Sequence, residues 1–324
     1  MRYRLVADHD LPDCLALLDL DGRCALSPRV RAQLPALWSD YLAADRHHPK
    51  PFVLWEDVAA RPQPRLEALA VALFVPDPVY DALLSGGRPG LAEQLYTLQL
   101  EGRQVLLDAR RIALANAGPG LSVVLPHCIQ RAREPDLSDG RRLLPLLLSA
   151  WAAGLGGFQV RRILVELHGQ PSAAGLQRGG FELRAVYAAA SGSPPDCAPH
   201  WCEIDRDRLA SDQPGALPLW LMPPLPPQLG LRLSQQAVAL HALQGHTDRA
   251  IAALLGISAD AVKQAWRGIL AAATSSLPEL LGAAHPSGPN PVRGAEHRRI
   301  VIEYLRQHME ELRPWPRRSR QGGP

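Results

Sequence analysis

The stretch LRLSQQAVALHALQGHTDRAIAALLGISADAVKQAWRGIL, residues 231–270, constrains the fold more than any other part of the chain. Ser234 is placed to cap a first helix whose apolar face is Val238, Leu240 and Leu243. Gly245 then supplies the left-handed backbone on which many helices end. Thr247 caps a second helix with Ala250, Ile251, Leu254 and Leu255 facing inward, and Gly256 makes the next turn. Ser258 caps a third helix, in which Ala261, Val262, Ala265, Trp266 and Ile269 recur at helical spacing. Ala252 and Gly256 are small where helices must cross closely. The pattern predicts three short helices joined by tight turns, with Ala259, Asp260, Lys263, Gln264 and Arg267 left outward on the third.

These residues carry a family resemblance. Gln244-Gly245, Ile251-Ala252, Leu255-Gly256-Ile257-Ser258, Val262-Lys263 and Ile269 match, over about 45 residues, the spacing of the LuxR-type helix-turn-helix. The segment 229–282 resembles that domain. It departs from the family where Gln235 and Ala237 replace acidic residues of the first helix, and where Asp248-Arg249-Ala250 opens the second. The resemblance implies an all-α, tetrahelical DNA-binding domain that acts as a homodimer on double-stranded DNA. Helix 258–270 would enter the major groove, with Gln264 and Arg267 addressing base edges and Lys263 a phosphate. Ser258 and Asp260 open that helix, and Thr247 and Arg249 would meet a phosphate at the start of the preceding one. A sigma-factor region of the same helical pattern, or a helical trio used for protein contact, remain the other readings.

Upstream the pattern changes. Tyr3, Leu5 and Ala7 alternate as in a strand, and Asp10 precedes Leu11-Pro12 as a helix start. Helical sequence follows over 27–45, with Pro35 as a break or kink. Strands are expected at 52–55, 67–75, 121–125, 162–167 and 182–188, and helical sequence at 80–84, 91–117, 140–155 and 172–177. This predicts an α/β (α+β) domain over 1–190. Its opening, MRYRLVADHDLPDCLALLD, and the stretch from Ser172 to Gly179-Gly180-Phe181-Glu182 resemble the GNAT acyltransferase fold. The resemblance implies acetyl-CoA as a cofactor, its pyrophosphate held by backbone amides at a helix N-terminus. The matching place holds Gly140, Arg141 and Arg142 between Asp139 and bulky Leu143-Leu144, with one glycine where the family has two. A degenerate domain that senses a ligand or dimerises is the favoured reading, so neither a cofactor nor a catalytic residue is assigned. The alternative is an acyl-CoA-dependent N-acetyltransferase with an accessory helical domain.

Residues 191–228, with SGSPPD and MPPLPPQ, read as a Pro-rich linker. An amphipathic helix is expected at 295–312 and a basic, disordered tail at 313–324. Net charge over the 324 residues is only +3, yet eight arginines stand against four glutamates from Arg293 onward. The positive excess therefore lies beside the helical segment. Lysine occurs only at Lys50 and Lys263, which fits a GC-rich bacterial source. Five scattered cysteines and an N-terminus without an apolar core point to the bacterial cytoplasm. Cys197, His200 and Cys202 offer three ligands where structural zinc takes four, so no metal site is assigned. Glu166 and His168 share a strand face as a conceivable base and partner, a salt link being the commoner use of such a pair.

Overall fold

A computed structural model describes residues 2–6, 8–21, 26–43, 52–57, 65–131, 154–189, 197–212, 221–282 and 293–316. Seven strands form one mixed sheet: β1 (Arg2–Leu5), β2 (Phe52–Asp57), β3 (Arg65–Val75), β4 (Leu121–Gln130), β5 (Val160–His168), β6 (Glu182–Val186) and β7 (Pro199–Asp205). Their order is β1-β2-β3-β4-β5-β7-β6. β4 and β5 run parallel and every other neighbouring pair antiparallel.

Alternation along β3 builds two cores at once. Leu69, Val71, Leu73 and Val75 face one side of the sheet and Ala72 and Phe74 the other, all buried. The first side is covered by α1 (Leu11–Asp21), α2 (Pro28–Ala43), α3 (Asp77–Ser85) and α4 (Leu91–Leu100). Val30, Leu34, Leu37, Trp38 and Tyr41 of α2 recur at helical spacing into that core. Pro35 sits on the exposed side, so α2 is one helix and not two. The opposite side is covered by α5 (Ala109–Asn116), the turn around Leu155 and Phe158, and α6 (Gln170–Arg178). The helical sequence expected over 91–117 is two helices separated by residues 101–108.

Two boundaries move. The segment assigned to a linker, 191–228, contains β7 and α7 (Arg206–Asp212). β7 lies between β5 and β6, so the sheet is completed by residues beyond 190. His200, Trp201, Cys202, Glu203 and Ile204 are all buried there.

A third core belongs to the C-terminal helices α8 (Leu233–Leu243), α9 (Asp248–Leu255), α10 (Ala259–Ser276), α11 (Pro278–Gly282) and α12 (Arg293–Gln307). A short 3-10 turn, Met309–Leu312, follows. Arg313 and Pro314, expected to open a disordered tail, are buried, and Arg313 Nε donates to Gly156 O at 2.8 Å. Residues 317–324 lie outside the described residues. No helix among those described is long and apolar enough to cross a membrane.

Candidate functional site

The three helices are set by local chemistry. Thr247 Oγ1 accepts from Ala250 N at 3.3 Å, and Ser258 Oγ from Ala261 N at 3.1 Å. Each hydroxyl satisfies one of the orphan amides of a helix start. Gly245 (φ 84°) and Gly256 (φ 63°) take the left-handed backbone that ends α8 and α9. The first start differs from the sequence expectation. Arg232, not Ser234, occupies the cap position, and Gln235 Oε1 accepts from the Arg232 amide at 2.8 Å. A return bond from the third helical residue replaces the hydroxyl cap. At the close passage of α8 and α10, a side chain on Gly268 would collide with the Gln235 amide.

Inside, Val238, Leu240, Ile251, Leu255, Val262, Trp266 and Ile269 are buried together. Leu254 and Ala261, expected inward, are exposed; each lies about 100° around its helix from the buried neighbour that follows it. Thr247, Arg249, Ser258, Asp260, Lys263, Gln264 and Arg267 are all exposed. The hydroxyls of Thr247 and Ser258 are engaged as caps. Lys263 Nζ lies 3.3 Å from Asp260 Oδ1, and Arg267 Nη1 donates to Gln264 Oε1 at 3.2 Å. These four residues form one solvent-facing strip along the first half of α10.

α12 packs on this trio through Val301 and Leu305. Arg298 donates from both terminal nitrogens to Asp248, at 3.1 and 2.7 Å, and lies 4.1 Å above the Trp266 ring. It thereby ties the first turn of α9 to the core of α10. Glu311, wholly buried, accepts from Gln228 N at 2.7 Å, Leu229 N at 2.9 Å and Tyr304 Oη at 3.0 Å, which fixes the chain entering α8. Burial, the dominant cause, holds its carboxyl above the usual range.

The sheet offers a second site. The ladder from β4 to β5 ends at Leu125 and Val165. Pro126 follows and has no amide to donate. There β4 also bulges against β3, between the pairs Leu73↔Val124 and Val71↔His127. Past the bulge, the carboxyl ends of two parallel strands part, a place where α/β sheets commonly bind ligands. Glu166 stands at this end of β5. Its Oε2 accepts from Gly90 N (2.7 Å), Leu91 N (3.1 Å) and Trp201 Nε1 (2.5 Å), with His168 Nε2 3.8 Å from Oε1. The carboxylate thus serves as the cap of α4 and the anchor of Trp201, with His168 beside its other oxygen. Trp201 is a buried residue of the sheet. Gly140, Arg141 and Arg142 lie outside the described residues.

The remaining polar candidates stay apart. Cys202 is buried on β7, where burial pushes its thiol up to about 11. His200 Nδ1 lies 2.8 Å from Ala198 O. Among the described residues, no group of three His, Cys, Asp or Glu is placed to hold a metal.

No protein-family model matches the chain, and no curated protein matches it. Solved structures similar to part of it include three acetyltransferases. One is an N-acetyltransferase from Staphylococcus aureus Mu50, at 14% identity, 63% of this chain and 96% of that one, with a TM-score of 0.33. The second is a mosquito arylalkylamine N-acetyltransferase like 5b, at 13%, 63% and 98%, with a TM-score of 0.37. The third is an acetyltransferase from Thermus thermophilus, at 17%, 63% and 97%, with a TM-score of 0.31.

Proposed function

We propose that this chain is a cytoplasmic, DNA-binding transcriptional regulator of the LuxR type, acting as a homodimer, with a GNAT-like domain that senses a ligand or dimerises. The observation that carries the reading is the exposed strip Asp260, Lys263, Gln264 and Arg267 on α10, with α9 and α10 each opening on a hydroxyl cap. Gln and Arg side chains on a helix can address base edges, and Lys263 and Arg249 can neutralise phosphates. The strip is short and only mildly basic, which supports paired half-sites rather than a single contact. The test is binding of the full chain to its own upstream DNA across a salt series. Affinity should fall with salt by a log–log slope of about −0.9 for each phosphate engaged. Failure to retain that DNA at low salt overturns the proposal.

A second reading is an acyl-CoA-dependent N-acetyltransferase. It is favoured by the parting of β4 and β5 beyond Leu125 and Val165, and by the order of strands and helices, which follows the GNAT resemblance. Calorimetry with acetyl-CoA distinguishes the two: saturable heat supports this reading, and none at millimolar ligand removes it.

A further inference from the structure

The C-terminal strap Arg313–Pro316 crosses from the helical core to the sheet. Arg313 lies 4.4 Å above the Phe158 ring and donates to Gly156 O, while Asn116 Nδ2 donates to Pro314 O at 2.9 Å. A side chain on Gly157 would run into the backbone of Met309 and Glu310, so the two segments meet backbone to backbone. Between this strap, α5 and the start of α8 the structure leaves a cleft of about 400 Å³. That volume falls within the range of small-molecule sites, and such sites favour junctions between packed units.

The walls are apolar, from Ala113 and Leu114 of α5, Leu231 and Leu233 beside α8, and Pro314. Four polar groups interrupt them. Gln236 is 96% buried, and its Nε2 donates to Glu311 O (3.1 Å) and Arg313 O (2.7 Å), which fixes the amide and leaves Oε1 as an acceptor. Neither Gln236 Oε1 nor Trp315 Nε1 has a hydrogen-bond partner among the described residues, and both residues line the cleft. A buried donor and a buried acceptor left unpaired at one cavity are costly unless something satisfies them. Arg110 and Arg232 also line it, and the structure gives neither an ion pair among the described residues. The nearby Asp108 carboxylate is turned to the Arg111 amide, where it caps α5.

We propose that this cleft binds a small apolar carboxylic acid that carries a hydroxyl or N–H beside its carboxylate. The hydrocarbon body occupies the wall of Leu114, Leu231 and Leu233. The carboxylate meets Arg110, Arg232 and the Trp315 indole N–H, and the ligand's own donor meets Gln236 Oε1. Because the walls come from α5, α8 and the strap, the ligand clamps the sheet to the helical core. The site stands whether or not α10 binds DNA.

The experiment is calorimetry on the full chain with three probes: 3-phenyllactate, 3-phenylpropanoate without the hydroxyl, and 3-phenylpropane-1,2-diol without the carboxylate. The expected result is a dissociation constant for 3-phenyllactate of about 1 mM or tighter, with roughly tenfold weaker binding of the diol. The paired change Arg110→Ala with Arg232→Ala alters two exposed side chains and should weaken binding by roughly tenfold or more without moving the thermal melt. Leu114→Trp, which fills the cleft from an exposed position, should abolish it. Absence of heat from all three probes overturns the proposal. So does equal affinity for the acid and the diol, or undiminished binding in the two variants.

Discussion

Replacing His127 with Phe removes one titration from the middle of the sheet and keeps an aromatic ring in its place. His127 is only 2% exposed. Its ring stacks on Tyr96 with centroids 5.6 Å apart and meets Trp38 edge-on at 5.5 Å. Burial, with a smaller contribution from the Arg31 charge, pulls its pKa down to about 3. The folded state therefore keeps the ring neutral, while the unfolded chain takes up a proton below about pH 6.5. A depressed histidine pKa contributes stability that is present above the unfolded value and is lost as pH falls toward the folded one. Linkage over that window gives a loss of about 2 kcal/mol between pH 7 and pH 5 from this one group. Urea unfolding of the native protein and of His127→Phe at both pH values measures it. The native protein should lose about 2 kcal/mol more than the variant on acidification. Equal losses would refute the argument, because they would place the imidazole in contact with water or with an acceptor that stabilises its proton.

Three further outcomes follow from the helical half and its strap. Lys263→Ala and Arg267→Ala should each weaken DNA binding with an unchanged circular-dichroism spectrum, Arg267 by about 1–3 kcal/mol if it reads a base; native affinity in both variants would leave α10 without a reading role. Arg298→Ala should destabilise the helical half by about 1–2 kcal/mol, a figure discounted because the ion pair is partly exposed, and Arg298→Lys should recover less than half of it in urea midpoints, since it keeps the charge but not the fork or the stack. Arg313→Met should release the strap from Gly156 and Phe158, and limited proteolysis after residue 307 should then run at least severalfold faster than in the native chain.

The legible parts of this fold are those written in short-range chemistry. Thr247, Ser258, Gly245 and Gly256 act within a few residues of themselves, so their positions could be read from the sequence and the backbone follows them. The Ser234 cap failed for a related reason: several polar residues lie within one turn, and the Gln235 return bond decided between them. β7 was illegible because its polar residues are satisfied only at a distance. Glu203 is 2% exposed, accepts from Tyr80 Oη at 2.9 Å and pairs with Arg184, partners 123 and 19 residues away. Read alone, Pro199-His200-Trp201-Cys202-Glu203 shows neither alternation nor a continuous apolar run, and the prolines nearby suggest a linker.

The strap shows the same limit with a functional consequence. Arg313 follows a predicted helix and opens a run rich in proline and arginine, a composition that indicates solvent. Its guanidinium is instead buried, and burial pulls its pKa down to about 9. Carbonyls of Gly154 and Gly156 accept from it, more than 150 residues away in the chain. Desolvating an arginine is unfavourable unless its donors are met, and the turn at 154–158 meets two of them. The strap also supplies one of the two Gln236 acceptors, Arg313 O, and the Trp315 wall of the cleft. The union of sheet and helical core, and the cavity between them, therefore depend on the same few polar contacts. A ligand that satisfies Trp315 and Gln236 stabilises that union directly. The cleft, rather than the exposed strip of α10, is therefore the place where a small molecule gains leverage over how the two halves are held.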